Sequence, residues 1–164
     1  MSGRVYKVPI NNLTMTSSGK VDLWDISCGS SVPILIEEIR IDPDATSVAV
    51  LSVALTRFTT FTAASGGTSL TPQPCNYGDV ASSALAQVLT TSLATSTNTS
   101  TALNVAKQVI DSGYWNLVNG WNWQPIDPDH RITVTSGGMF QVQMQTTTAS
   151  SALMSGCLTF REML

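Results

Sequence analysis

The chain has 164 residues and a mass of 17.4 kDa, which suits one domain that removes roughly 70% of its unfolded surface from water. Charged residues are only 12% against a usual figure near 25%, and Ser and Thr supply roughly a quarter, so the surface is largely hydroxyl and amide. A formal charge of -3, a sequence pI near 4.8 and scattered Lys and Arg argue against nucleic acid as a partner, because phosphate binding needs clustered cations.

The opening MSGRVYKVPI lacks a basic region followed by an apolar one, and nothing downstream approaches about 18 consecutive apolar residues. The expectation is a soluble protein made in the cytoplasm, with no membrane partner. Asn12-Leu13-Thr14 and Asn98-Thr99-Ser100 match the glycan acceptor pattern, and without a secretion signal they read as chance.

Residues 5–10, 21–26, 32–41 and 47–61 are rich in β-branched and aromatic side chains and predict strands. Residues 1–20 read as an N-terminal arm or first strand, and 21–164 as a single sandwich domain. The run SVAVLSVALTRFTTF is apolar on both phases, as in a central strand covered on two sides, with a polar end from Thr56 that reaches past the core. GGTSLTPQPCNYG is too dense in Gly, Pro and Thr for a regular ladder. Asp79 then stands where it would cap a short helix with Ala81, Leu85, Val88 and Leu89 on one face, although the same residues also allow a strand.

TTSLATSTNTSTA suits a strand rim or loop as well as disorder, and residues 103–109 predict a strand. YWNLVNGWNWQP places Trp115, Trp121 and Trp123 in one short segment, where large aromatics serve either an interface or a core; Trp24 is assigned to the core. Ile132 and Val134 alternate with Thr133 and Thr135, TSGG supplies turn glycines, and Phe140, Val142 and Met144 alternate with Gln141, Gln143 and Gln145. This predicts a hairpin whose second strand is half-buried. A last short run covers 157–160. Many short strands with little helix make the fold class all-β, an antiparallel β-sandwich of jelly-roll type with at most one short helix.

Site chemistry is sparse. The single histidine excludes HExxH and multi-histidine zinc sites, and Cys28, Cys75 and Cys157 form neither a disulfide framework nor a CxxC pair, so buried small hydrophobes are the plain reading. No GxSxG, GxxxxGK[ST] or GxGxxG motif is present. A serine nucleophile served by His130 with Asp127 or Asp129 is conceivable, since triads assemble in space. The carboxylate pairs Asp42 with Asp44, Asp127 with Asp129 and Glu37 with Glu38 are candidates for glycan hydrolysis or calcium. The two Ile-Asp-Pro-Asp tetrapeptides, however, read first as turn chemistry, with Pro setting φ and Asp bonding nearby backbone. The expectation is no catalytic residue, no cofactor and no metal.

Three segments, VPILIEEIRI, FTTFTAASGGTSLTPQPCNYGDVAS and HRITVTSGGMFQVQMQTTTASSALMSGCLTFRE, resemble the jelly-roll virion proteins of tailed bacteriophages, above all the capsid decoration or cement proteins. The resemblance spans residues 30–164, and its most specific piece is Gly66-Gly67-Thr68 followed by Thr71-Pro72, Pro74, Gly78 and Asp79. It implies a homotrimer on the outer capsid surface that clamps neighbouring copies of the major capsid protein, with the N-terminal segment in capsid or intersubunit contact. On this chain those contacts would fall to Arg4, Tyr6 and Lys7, and the tryptophans Trp115, Trp121 and Trp123 are further candidates. The alternative is a receptor- or glycan-binding module of a tail fibre or head spike that uses the same tryptophans.

Overall fold

The computed structural model describes residues 3–15, 20–29, 32–44, 50–59, 61, 67–88, 107–116, 118–146 and 152–163. In chain order the strands are β1 (Gly3–Met15), β2 (Lys20–Ser27), β3 (Ile34–Asp44), β4 (Val50–Phe58), β5 (Thr68–Leu70), β6 (Gln73–Pro74), β7 (Leu85–Val88), β8 (Lys107–Asn116), β9 (Trp121–Trp123), β10 (Ile132–Val134), β11 (Met139–Thr146) and β12 (Ala152–Met163). Among the described residues the one helical element is a 3-10 turn, Pro128–His130.

The strands form two six-stranded antiparallel sheets. One has the order β10-β3-β12-β1-β6, with β9 beside β10 on the same edge of β3; the other has the order β5-β7-β2-β11-β4-β8. Strands adjacent in sequence are divided between the sheets: β1 and β2, β3 and β4, and β11 and β12 each cross from one to the other. The central order β3-β12-β1 is therefore matched by β4-β11-β2, the wrapped connectivity of a jelly-roll sandwich. Tyr6, Val8, Ile36, Ile39, Leu158 and Phe160 of the first sheet share one core with Trp24, Ile26, Val53, Leu55, Phe140 and Val142 of the second.

Bulges decide which residues face that core. In β3 the register against β12 shifts at Glu37, so Ile36 and Ile39, three residues apart, are both fully buried. In β1 the shift falls between Ile10 and Leu13, where Asn12 takes φ 53 and absorbs the extra residue. In β2 it falls at Leu23, which leaves Asp22 opposite Gln143 and Asp25 opposite Gln141.

Several expectations need correction. Residues 84–88 form no helix: Ala84, Ala86 and Val88 are buried and Leu85 is exposed, the period of a strand, and β7 pairs with β2 and β5. The Gly/Pro-rich segment does enter ladders, as the short edge strands β5 and β6. Thr56 and Phe58 do not reach past the core but are each 2% exposed. The TSGG turn joins two sheets instead of closing a hairpin, because β10 pairs with β3 and β11 with β2 and β4. Gly137 at φ 73 and Gly138, where a Cβ would sit 2.8 Å from the Phe58 carbonyl oxygen, make that tight crossing possible. Gln141 is 2% exposed, so β11 is covered on both faces at that point, while Gln143 is half-buried and Gln145 exposed, as in a half-buried strand. The first Ile-Asp-Pro-Asp is the end of β3 itself, paired with β12, and only the second is a turn. Residues 103–106 of the strand expected over 103–109 and the TTSLATSTNTSTA stretch lie outside the described residues; β8 runs on to Asn116.

Candidate functional site

The N-terminal candidates belong to a strand in the middle of a sheet, paired with β12 along its length and with β6 at Tyr6 and Lys7. Tyr6 points inward. Its ring stacks on Phe160 with centroids 5.6 Å apart, its hydroxyl donates to the Val80 carbonyl at 2.9 Å, and it is fully buried. Tyr6 is thus a core residue and offers a partner no surface. Lys7 is exposed on the opposite face and Arg4 is half-buried.

The three clustered tryptophans are all half-buried and pack against the core. Trp115 lies on β8 at the edge of one sheet and Trp121 on β9 at the edge of the other. Their rings stack with centroids 6.1 Å apart and planes at 29°, and the Trp115 indole N–H donates to the Asn119 carbonyl at 2.7 Å. The pair closes the side of the sandwich. Trp24, by contrast, is fully buried and donates its indole N–H to the Val8 carbonyl at 3.0 Å.

Four of the acidic candidates, Asp127, Asp42, Glu37 and Glu38, have their carboxylates engaged by neighbouring groups. Asp127 caps the 3-10 turn, its Oδ1 accepting from the backbone N–H of Asp129 at 2.9 Å and of His130 at 3.2 Å. His130 Nδ1 stands 2.7 Å from the same oxygen and, as hydrogen-bond partner, holds the Asp127 carboxyl below its ordinary range. Asp42 pairs with Arg40 at 2.9 Å, Glu37 with Arg161 at 2.6 Å, and Glu38 accepts from Gln124 at 2.9 Å. Among the described residues no three His, Cys, Asp or Glu side chains are grouped to hold a metal ion. Cys28 is a core thiol, its pKa pushed up to about 11 by burial; Cys75 is exposed and departs from the buried reading.

Two features were not anticipated from residue type. One is β8, the outermost strand of its sheet among the described residues. Val109 is 57% exposed, Ile110 41% and Tyr114 76%, and Val118 in the following turn is 48% exposed. A ten-residue strand at the edge of the described sheet, with Val109 and Tyr114 exposed on one face, is a template for a further contact.

The other is the outer face of the β2–β11 pair. The bulge at Leu23 puts Asp22 and Asp25 on one face, where they are only 1% and 5% exposed. Gln143 donates to Asp22 Oδ1 at 2.8 Å, while Asp25 Oδ1 is buried without a hydrogen-bond partner. Burial first, then the Asp22 charge, push the Asp25 carboxyl up to about 7. Asp25 also forms part of the wall of a cavity of about 280 Å³ bounded by β2, β5, β7 and the start of β11. The sequence signal is VDLWDIS, two aspartates three apart inside an otherwise apolar strand.

No protein-family model and no curated protein matches the chain. Solved structures similar to it include T=1 particles derived from infectious bursal virus, at 14% identity and TM-score 0.23, and T=1 particles of a mutant VP2 protein of infectious bursal disease virus, at 11% and 0.22. A VP2 subviral particle of that virus gives 13% and 0.21. Each alignment covers 97% of this chain, which spans only 40 to 41% of the chains it matches. At such TM-scores the likeness supports no statement about this chain's fold or role.

Proposed function

We propose that the chain is a structural virion protein, a homotrimeric cement protein that binds the outside of an assembled phage capsid and stabilises it through contacts with the major capsid protein. The observation that carries this reading is β8, an outer strand whose Val109, Ile110 and Tyr114 stand exposed beside the half-buried Trp115. Exposed apolar groups on a long edge gain free energy when a neighbouring copy covers them, and a closed ring avoids open-ended growth. The number three and the capsid partner rest on the sequence resemblance.

A clamp of this kind needs a rigid shape and many weak contacts; binding only the assembled shell stabilises that shell by mass action. Low charge and locally paired carboxylates suit such a role, which is not enzymatic and uses neither cofactor nor nucleic acid. The glycan-binding alternative has less support, since Trp115 and Trp121 turn ring faces toward each other and the Trp115 N–H is already bonded.

Native mass measurement on the purified chain is expected to give a trimer, and the chain is expected to co-sediment with mature capsids that lack it. Ile110→Lys and Tyr114→Lys together are expected to yield monomer. A wild-type monomer that ignores mature shells overturns the proposal.

A further inference from the structure

The connection that carries the chain from β8 to β9 contains the one asparagine in the sequence followed by glycine, Asn119-Gly120. Every other asparagine precedes a residue with a Cβ. Both residues of the pair are exposed. The fold does not demand glycine at 120: its φ lies outside the left-handed region, and a Cβ there would meet Asp42 Oδ1 at 3.4 Å and the Ile41 carbonyl oxygen at 3.5 Å, ordinary contact distances. Asn119 is held by its backbone, the N–H donating to the Asn116 carbonyl at 3.0 Å and the carbonyl accepting from the Trp115 indole at 2.7 Å. Among the described residues its carboxamide has no hydrogen-bond partner, whereas that of Asn76 donates to Asp79 and that of Asn116 accepts from the Val118 N–H.

We propose that Asn119 is a site of spontaneous modification, deamidation through a cyclic imide formed with the Gly120 backbone nitrogen, and that its isoaspartyl product loosens the Trp115–Trp121 closure. The Gly120 nitrogen, having lost its proton to solvent base, attacks Asn119 Cγ. A C–N bond forms, the Cγ–Nδ2 bond breaks, and the amide nitrogen leaves as ammonia. The attack is intramolecular and needs only a rotation of the unrestrained side chain. Glycine favours it because no Cβ crowds the nucleophile or restricts that rotation. Water, the only co-reactant, then opens the imide at one of its two carbonyls. Opening at Cγ leaves aspartate in the original main chain; opening at the main-chain carbonyl leaves isoaspartate, whose chain runs through Cβ and Cγ.

The position of the pair gives the reaction a structural consequence. Asn119 and Gly120 lie on the short path between two stacked rings, and the Asn119 main-chain carbonyl is the acceptor of the Trp115 indole N–H. Isoaspartate lengthens that path by a methylene and turns the acceptor into a carboxylate that no longer belongs to the main chain. Trp121 is meanwhile tied to Ile41 by the β3–β9 ladder, so the added length is taken up on the Trp115 side. Both products also bring a negative charge next to Gly120, where Asp42 already stands with its Oδ2 paired to Arg40 and its Oδ1 beside the glycine. Like charges at short range oppose the closed arrangement.

The test incubates the purified chain at mildly acidic and mildly alkaline pH and digests it with trypsin. Cleavage after Lys107 and Arg131 releases residues 108–131, which hold Asn116, Asn119 and Asn122. Fragmentation in the mass spectrometer is expected to place the amide-to-acid mass gain at Asn119 ahead of the other two, faster at alkaline pH, and as a chromatographically resolved aspartate and isoaspartate pair. Gly120→Ala is expected to slow conversion at least roughly tenfold, the effect of about 1.4 kcal/mol of added barrier, while melting with the parent.

The isoaspartyl form, separated by ion exchange, is expected to show red-shifted tryptophan emission and a lower melting temperature than the parent. Asn119→Asp, which adds the charge without lengthening the chain, is expected to move both less. Absence of conversion at Asn119, earlier conversion of Asn116 or Asn122, or a rate indifferent to Gly120→Ala overturns the site. Unchanged emission and melting in the isoaspartyl form overturns its coupling to the tryptophan pair. These readouts use the purified chain and stand whether or not it proves to be a cement protein.

Discussion

Trp115 and Trp121 stack across the open side of the sandwich, joining the outermost strand of one sheet to an edge strand of the other with ring centroids 6.1 Å apart. They are six residues apart in sequence and lie in different sheets, so the stack fixes the spacing between β8 and β9 where no ladder connects them.

Trp115→Ala removes both the ring contact and the packing of a half-buried indole. A fully buried Trp→Ala costs about 3–5 kcal/mol and an aromatic pair adds about 0.5–1.5. Half-burial places the expected loss at about 2–3 kcal/mol, read as a melting temperature lower by roughly 5–10 °C. Trp121→Ala is expected to lose a similar amount, and the double variant less than the sum, because both single changes remove the same contact.

Gly156 lies in β12 between β1 and β3, where a Cβ would collide with the Arg40 carbonyl oxygen and come within 3.2 Å of Trp24 Cη2. The obstacle is backbone held in a ladder, so it cannot give way cheaply. Gly156→Ala is expected to cost about 3 kcal/mol in urea unfolding. Gly113→Ala on the exposed β8 meets nothing within 4 Å and is expected to be neutral or to gain up to about 1 kcal/mol.

Glu162 is 2% exposed and accepts from the Ser82 hydroxyl at 2.7 Å, the Ser83 N–H at 2.7 Å and the Ser83 hydroxyl at 3.0 Å. Burial opposes its charge, yet these hydrogen bonds outweigh it and hold the carboxyl below the ordinary value of 4.5. A carboxyl lowered by folding contributes stability that is present above its unfolded value and is lost as pH falls through the folded one. Glu162→Gln is therefore expected to cost about 1.5–3 kcal/mol at pH 7 and to show a smaller acid-side decline than the parent in pH-resolved unfolding.

Asp25 carries the opposite sign. Its carboxyl rises from 3.8 to about 7 on folding, with Asp22 as the neighbouring charge. Between those values the folded state binds more protons than the unfolded one, so stability falls as pH rises from about 4 to 7 and levels off above. The shift corresponds to a few kcal/mol. Asp25→Asn is expected to flatten that slope and to melt above the parent at pH 8, while adding little at pH 4.

Much of the fold was legible in the pattern of apolar residues. VYKVPI, the apolar run before Arg57, and Phe140, Val142 and Met144 each mark a strand, and for the last of these the alternation also assigns the buried phase correctly. Those signals are local, since side-chain direction in a strand repeats every two residues. They fail where a bulge inserts one residue: Ile36 and Ile39, or Asp22 and Asp25, share a face only because of the extra residue between them. Residues 84–88 were ambiguous for a related reason, as a four-residue strand carries too few periods to exclude a helical spacing.

The candidate site was less legible than the fold. Tyr6, read as a contact, is held in the core by Phe160 and the Val80 carbonyl, partners more than 70 residues away in sequence. Asp25 was passed over because an aspartate in a strand resembles any other until its neighbours are known. Composition and periodicity by themselves determined an all-β sandwich with a hydroxyl-rich surface, because burial pattern and charge are properties of the chain read in order. Only tertiary structure decided which strands pair, that the TSGG turn crosses between sheets, and which carboxylate is buried beside a cavity. Pairing and desolvation depend on residues brought together from distant parts of the chain, and no local pattern encodes which ones meet.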